Sequence, residues 1–285
     1  MRIAILYIGT GRYTVFWKKF YKSCEKFFIT DAQKHYFFFT DSKKFKSAEN
    51  LTIVAQKQLD FAYITTLRYK ILNSVREQLK NYDYIFFFNG NMEFVKPVSE
   101  AEFLPDENEG IVASLHSMNK RREPEDFPYE KNPKSTSYIE AGKGRYYFHS
   151  GILGGRREAA LEMFKICEKM ADEDLNNGII PVVHDESIFN KYVLNRTPKI
   201  LSNYYIFPER NKLWARFIPE VKIIQRDKSK LKYGGHAWLR GETNRRNSLF
   251  DYFNQNALRK AFRKICSARP LQDYTQQCRD PLHRV

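Results

Sequence analysis

The chain has 285 residues, 42% of them hydrophobic and 15% aromatic, enough for one large α/β domain or two small ones with a sizeable core, and this excludes a disordered protein. Its net charge of +15 suits a polyanionic partner, whether nucleic acid, an anionic membrane surface or a phosphorylated substrate, without choosing among them. Cys24, Cys167, Cys266 and Cys278 are scattered without Cys-x-x-Cys spacing, which excludes a zinc knuckle or disulfide framework and fits reduced thiols in a cytoplasm. The opening MRIAILYIGTGRY has too short an apolar run for a signal peptide or a spanning helix.

Ile3 to Ile8 reads as a buried first strand, and Gly9-Thr10-Gly11 as a turn into a helix through Phe16, Phe20, Cys24 and Phe27. A glycine turn after strand one cradles nucleotides in α/β folds, although Gly-x-Gly also marks ordinary turns. Tyr36 to Thr40, followed by Asp41, predicts a second strand and Leu51 to Val54 a third. Leu67, Ile71, Leu72, Val75 and Leu79 share one face of a helix predicted over Thr66 to Lys80. That helix leads into YDYIFFFNGNMEF, residues 82 to 94, the stretch around which the chain is organised. Ile85 to Phe88 is an unbroken apolar run, as expected of a strand covered on both faces in a parallel sheet. It stops at Asn89-Gly90-Asn91. Asn-Gly is also a strong hairpin signal, but a hairpin strand with one wet face alternates, and this one does not. Open α/β sheets bind ligands at the carboxyl ends of such strands, so Asn89 to Asn91 is a first candidate site.

Ile111 to His116 predicts a further strand, and the polar stretch Ser117 to Ser137 a long loop of the kind that serves as a binding lid. Tyr146 to Gly155 packs three aromatics, His149 and three glycines into ten residues, which lets backbone approach a ligand or a neighbouring strand. Glu158 to Leu175 is an amphipathic helix. His184-Asp185-Glu186-Ser187 opens another that carries Ile188, Tyr192 and Val193. Acidic residues in a first helical turn also suit the macrodipole, so that tetrapeptide by itself is open to a structural account.

Taken together, ILYIGTGRYTVFWKKFY, DYIFFFNGN, SYIEAGKGRYYFHSGILGG, HDESIFNKY and RDKSKLKYGGH resemble glycosyltransferase family 6, the family of the blood-group A and B transferases and the α-1,3-galactosyltransferase, and most closely its bacterial branch. The motifs stand in the family's order across roughly residues 1 to 240. The resemblance implies a GT-A fold, with a Rossmann-like, mostly parallel sheet flanked by helices, as a catalytic domain over residues 1 to 245. It also implies a UDP-sugar donor, UDP-GalNAc or UDP-Gal, and retaining transfer to the 3-hydroxyl of a galactoside oligosaccharide or glycolipid. By position, Ile8, Thr10 and Tyr13 match the uracil pocket, Arg68 the donor-site arginine, and Glu186 the catalytic carboxylate, flanked by Asp185 and His184. His149, Ser150 and Gly151 match the triplet that separates galactose from N-acetylgalactosamine users. Gly151 leaves room at the sugar's 2-position and leans the donor towards N-acetylgalactosamine. His149 is the residue of galactose-specific relatives. His116 matches an acceptor-contacting histidine.

Asn89 and Asn91 replace the Asp-X-Asp whose carboxylates hold a metal elsewhere in the GT-A class. Neutral amides bind a hard cation weakly, and bacterial relatives with Asn-X-Asn work without metal, so no metal cofactor is expected. Lys228, with Lys230, Lys232 and Arg240, belongs to a basic segment that closes over the diphosphate in the family. Two departures stand out: Val183 where the family has tryptophan, and His116-Ser117-Met118-Asn119-Lys120 where it has His-Pro-Gly-Phe-Tyr. Loss of catalysis with retained sugar-nucleotide binding is the competing reading. Nucleic acid is not an expected partner, since the charges are dispersed and no such motif is present.

Residues 246 to 285 form a separate C-terminal region. Within it, Leu249, Phe250, Phe253, Ala257, Leu258, Ala261, Phe262 and Ile265 recur at helical steps opposite Arg259, Lys260, Arg263 and Lys264. A basic amphipathic helix suits docking on the domain, a homo-oligomer, or peripheral contact with the anionic inner membrane face of a cytoplasmic enzyme.

Overall fold

The computed structural model describes residues 1–120, 122–209 and 215–251. The predicted amphipathic helix therefore lies, beyond Asp251, outside the described residues. The central sheet is formed by β1 (Arg2–Ile8), β2 (Gln33–Thr40), β3 (Leu51–Ala55), β4 (Tyr84–Phe88) and β8 (Ile152–Arg156), in the order β3-β2-β1-β4-β8. The first four run parallel, and β8 is antiparallel to β4. The chain crosses from one half to the other between β1 and β4, so the carboxyl ends of these two strands flank a topological switch point.

The unbroken apolar run of β4 follows from burial on both faces. Ile85 and Phe87 point into one core, with α3 (Arg68–Asn73), α6 (Arg157–Asn176) and α7 (Asp185–Val193). Phe86 and Phe88 point into the other, against Trp17, Phe20 and Cys24 of α1 (Trp17–Phe27) and Phe103 of α5 (Glu100–Phe103). All four are essentially inaccessible, and burying each such side chain is worth about 1.5–3 kcal/mol. The Asn-Gly turn does not make a hairpin. β5 (Met92–Phe94) leaves the central sheet and pairs with β11 (Ile223–Gln225), beside β10 (Phe207–Pro208). A third sheet holds β6 (Val112–Leu115), β7 (Phe148–His149) and β9 (Lys199–Leu201). Among the described residues no helix is long and apolar enough to cross a membrane.

One expectation needs correction. The helix expected over Thr66 to Lys80 starts earlier and is broken into α2 (Phe61–Thr66), α3 and α4 (Arg76–Leu79). The Thr65 hydroxyl donates to the Phe61 carbonyl at 2.7 Å and the Ser74 hydroxyl to the Ile71 carbonyl at 2.7 Å; side chains that bond back to the preceding turn in this way bend helices. The expected long loop after β6 is present and is anchored by side chains. It contains short 3-10 turns at Ser117–Lys120 and Pro124–Asp126, and the fully buried Asp174 accepts from the Ser135 hydroxyl and the Thr136 N–H, each at 2.7 Å. Glu130 is buried too, and its Oε2 accepts from the Val182 N–H at 2.6 Å, tying the loop to the segment before α7.

The glycines of β8 serve strand packing. Gly154 has φ +138°, and a Cβ added there would lie 2.0 Å from the Ile85 carbonyl oxygen of β4. Gly154→Ala should destabilise the protein by about 2 kcal/mol or more, the scale of a strained, sterically blocked backbone position. Chemical denaturation of the two proteins measures it; a loss within a few tenths of a kcal/mol would mean that β8 shifts freely.

Candidate active site

A cleft of about 330 Å³ opens at the switch point, with Ile8, Thr10, Asn89 and Phe87 in its wall. β1 ends in a turn in which the Gly9 N–H donates to the Phe39 carbonyl (3.0 Å) and the Gly11 N–H to Asp41 (2.8 Å). This turn presents Thr10 and Tyr13. At the end of β4, the Asn89 N–H donates to the Gly151 carbonyl at 2.8 Å, so the two loops are locked together.

The far wall is the start of α7. His184, the residue before the helix, has φ +52° and lies edge-on to Phe61 at 5.8 Å. Asp185 forms a buried ion pair with Arg68 of α3. Arg68 also donates to the Ser150 carbonyl at 3.3 Å and lies over the Phe87 ring at 4.7 Å. Tyr69, next along, donates its hydroxyl to the Asp185 carbonyl at 3.0 Å. Glu186 is buried, and its Oε2 accepts from the Ser150 N–H at 3.0 Å. Acidic residues at a helix start need no tertiary partner, but both of these have one. One turn further on, the Asn190 amide exchanges hydrogen bonds with the Phe148 backbone, accepting at 2.9 Å and donating at 2.8 Å, and so ties β7 to α7.

Burial pushes the Asp185 carboxyl up to about 6, with Arg68 acting in the opposite direction. Burial, with the positive fields of Arg68 and Lys228, pushes His149 down to about 3. The His149 ring is therefore neutral, and its Nδ1, which lies 3.4 Å from Glu186, accepts the Gly151 N–H at 2.8 Å.

Of the residues singled out from sequence, Ile8, Thr10, Tyr13, Arg68, Asn89, Ser150, His184, Asp185, Glu186 and Lys228 come together around the cleft. Five do not line it. Asn91 is buried; its amide donates to the Arg226 carbonyl at 2.8 Å. His149 stands behind Ser150 with its Nε2 3.1 Å from the Gln225 amide. His116 stacks on His149 at 5.3 Å, one layer further from the cleft. A Cβ on Gly151 would meet the Ile206 side chain at 2.6 Å and the Met92 side chain at 2.8 Å, so Gly151 is packed against these two residues and does not line the cleft. Arg240 packs its guanidinium over Phe61 at 3.9 Å. Of the basic segment, only Lys228 lines the cleft: Lys230 pairs with Glu209 and Lys232 lies over Tyr233. Phe61, Ile64, Thr65 and Val182 line the cleft without having been anticipated; they are ordinary helix and loop residues in sequence and carry no motif.

The metal site of the GT-A class has no fitting counterpart. The Asn89 side-chain oxygen accepts from the Gly90 N–H at 3.0 Å, Asn91 does not reach the cleft, and among the described residues no three His, Cys, Asp or Glu side chains cluster as metal ligands. Neutral amides are weak ligands for a hard divalent cation, and the Asn91 oxygen, although without a hydrogen-bond partner among the described residues, is buried away from the cleft.

A mostly parallel sheet with helices on both faces and a ligand-sized cleft at its switch point is the architecture of a GT-A-like glycosyltransferase. The family model described as Glycosyltransferase family 6 matches residues 1–233. The O-antigen biosynthesis glycosyltransferase WbnI of Escherichia coli is 33% identical over 241 residues, covering 83% of this chain and 99% of that protein. The histo-blood group ABO system transferase 1 of Rattus norvegicus is 27% identical over 232 residues, 78% of this chain and 65% of its own length. The human globoside alpha-1,3-N-acetylgalactosaminyltransferase 1 is 24% identical over 235 residues, 79% of this chain and 65% of its own length. The chain belongs to glycosyltransferase family 6. It is thereby a hexosyltransferase, with a nucleotide-sugar donor and a glycan acceptor.

The buried ion pair gives a direct test of the cleft's electrostatics. In a side-chain carboxyl titration followed by NMR, Asp185 should take up its proton as pH falls through about 6. In Arg68→Met the midpoint should move upward, because the cation that favours the charged form is gone. A midpoint near that of a solvated aspartate would show that water reaches the pair.

Proposed function

We propose that this enzyme transfers galactose or N-acetylgalactosamine from a UDP donor to the 3-hydroxyl of a galactoside, with retention of configuration and without a divalent metal. One observation carries the reading: a buried carboxylate, Glu186, faces the same cleft as an ammonium, Lys228, and the strand ends that border nucleotide sites line that cleft too. The relatives support the glycan class of the acceptor, one being an O-antigen biosynthesis glycosyltransferase and others blood-group and globoside transferases. Gly151 packs against Ile206 and Met92 rather than lining the cleft, and both donors stand.

In this reading Ile8, Thr10 and Tyr13 hold the uridine and Lys228 faces the diphosphate. As the bond between the anomeric carbon and the phosphate oxygen breaks, negative charge grows on the leaving diphosphate, and a fixed cation stabilises it without reorganising. The Glu186 carboxylate faces the sugar. It either attacks the anomeric carbon to give a covalent intermediate or stabilises an oxocarbenium-like species during same-face attack. The Ser150 N–H keeps that carboxylate oriented. The Arg68–Asp185 pair fixes the helix start from which it projects.

Glu186→Gln should lower turnover by about 10²-fold or more, the scale for losing a transition-state charge partner, and leave UDP affinity within a few fold. Initial rates together with calorimetric UDP titration measure both. Near-wild-type turnover would return Glu186 to a purely structural role, and a wild-type protein that binds UDP-sugars but turns over neither donor would favour a sugar-nucleotide-binding protein instead.

With a galactoside acceptor, turnover should survive EDTA and gain little from added manganese, because the amides at 89 and 91 are weak cation ligands. Loss of activity in EDTA that manganese restores would overturn metal independence.

A further inference from the structure

Lys228 is the one residue of the basic segment that lines the cleft, and it sits in irregular backbone between β11 and a 3-10 turn at Leu231–Tyr233. A lysine on such a segment has four side-chain torsions and a mobile base to order, so its usefulness as a fixed cation depends on what holds the backbone on either side. One carboxylate outside the cleft reaches the chain on both sides of Lys228. Glu209 follows β10. Its Oε1 lies 2.9 Å from the Arg226 guanidinium and 2.8 Å from the Lys230 ammonium, and its Oε2 accepts the Asp227 N–H at 3.0 Å. It thus grips the chain two residues before Lys228, one residue before it and two residues after it.

The surroundings complete the bracket. Arg226 is buried and also pairs with Glu93 of β5 at 3.1 Å, and its Nε donates to the Tyr233 hydroxyl at 3.2 Å. Its backbone N–H donates to the Asn91 carbonyl at 2.7 Å, and its carbonyl accepts from the Asn91 amide at 2.8 Å. Asp227 turns inward, its Oδ1 accepting from the Ser229 N–H at 3.0 Å and hydroxyl at 2.7 Å. Every charged neighbour of Lys228 in the segment is therefore consumed by the scaffold. Among the described residues the Lys228 ammonium makes no ion pair; it lies 5.1 Å from the Tyr13 ring, facing the cleft.

We propose that Glu209 is a positioning residue for the diphosphate subsite, acting through Arg226, Asp227 and Lys230 to hold Lys228 against the ligand. This rests on the reading of Lys228 as the cation that faces the diphosphate. Glu209 touches no ligand itself. Its removal loosens one cation rather than deforming the pocket that takes the base and ribose, so its effect is confined to ligands that carry phosphates.

The test is calorimetric titration of the full-length protein with UDP and with uridine. Glu209→Gln should weaken UDP binding by about tenfold, the equivalent of one charge-assisted hydrogen bond, and leave uridine binding unchanged. Glu209→Asp should recover part of the loss. In a Lys228→Ala background, Glu209→Gln should add nothing to the loss in UDP affinity, because the two act as one unit. Lys230→Met removes a single, partly exposed arm of the bracket and should weaken UDP by a smaller factor, which keeps the test open if Glu209→Gln folds poorly. Equal loss for UDP and uridine, no loss for either, or full additivity with Lys228→Ala would each overturn the positioning role. If Lys228→Ala alone left UDP affinity unchanged, the diphosphate reading of Lys228 would fall and the proposal with it.

Discussion

Arg68 and Asp185 meet where three layers of the protein join, and the shape of the cleft depends on that contact. Arg68 comes from α3, Asp185 from the first turn of α7, and the guanidinium lies over Phe87 of the central strand while reaching the Ser150 carbonyl between β7 and β8. A buried pair of this kind contributes little net stability, because the loss of hydration offsets the attraction, but it is costly to break, because the survivor is left charged in an apolar surround. Its effect is on registry. With Asp185 held, Glu186 has one place to go, and the Ser150 N–H meets it there. The neighbouring His149 is kept neutral by burial, with the fields of Arg68 and Lys228 acting in the same direction, so it does not neutralise that carboxylate.

The large positive charge of the chain reads differently once the side chains are placed. A net +15 suggests a broad surface for polyanions. In and beside the cleft the usable positive charge is local: Arg68 is spent on Asp185, Arg226 and Lys230 behind the wall on Glu209, and Lys228 is left facing the ligand space. Charge that is already paired steers little, whereas one ammonium on a well-held loop acts at short range where screening is weak.

The departures from the family's motifs follow the same division. Asn91, which stands where other GT-A enzymes have a metal ligand, here stitches the end of the central strand to Arg226. A neutral amide can donate to a carbonyl and a carboxylate cannot, so the substitution changes what this position is able to hold. Gly151 packs against Ile206 and Met92, and at Gly154 the β4 backbone passes too close for any side chain.

The sequence by itself determined the α/β class, the central strand and the place where it stops. A strand buried on both faces must be apolar at consecutive positions, and that pattern is legible in one dimension. Its ordered motifs, through the family they resemble, also pointed to Glu186, Asp185, Ser150 and Lys228, and the same resemblance pointed to Arg68 by position. What it could not contain is distance. The break of the helix over residues 61 to 79 depends on hydroxyls folding back onto carbonyls one turn earlier, an alternative that residue type permits but does not impose. His149, Gly151 and His116 stand in or next to the motif strands, yet strand direction and side-chain packing turn them away from the cleft, while Phe61 and Val182 reach it from segments with no motif at all. Glu209 lies 19 residues from Lys228 along the chain, and only the pairing of β10 with β11 brings its carboxylate to the backbone beside that lysine. Contacts between segments distant in sequence are set by how the layers close, and that was decided by the tertiary structure alone.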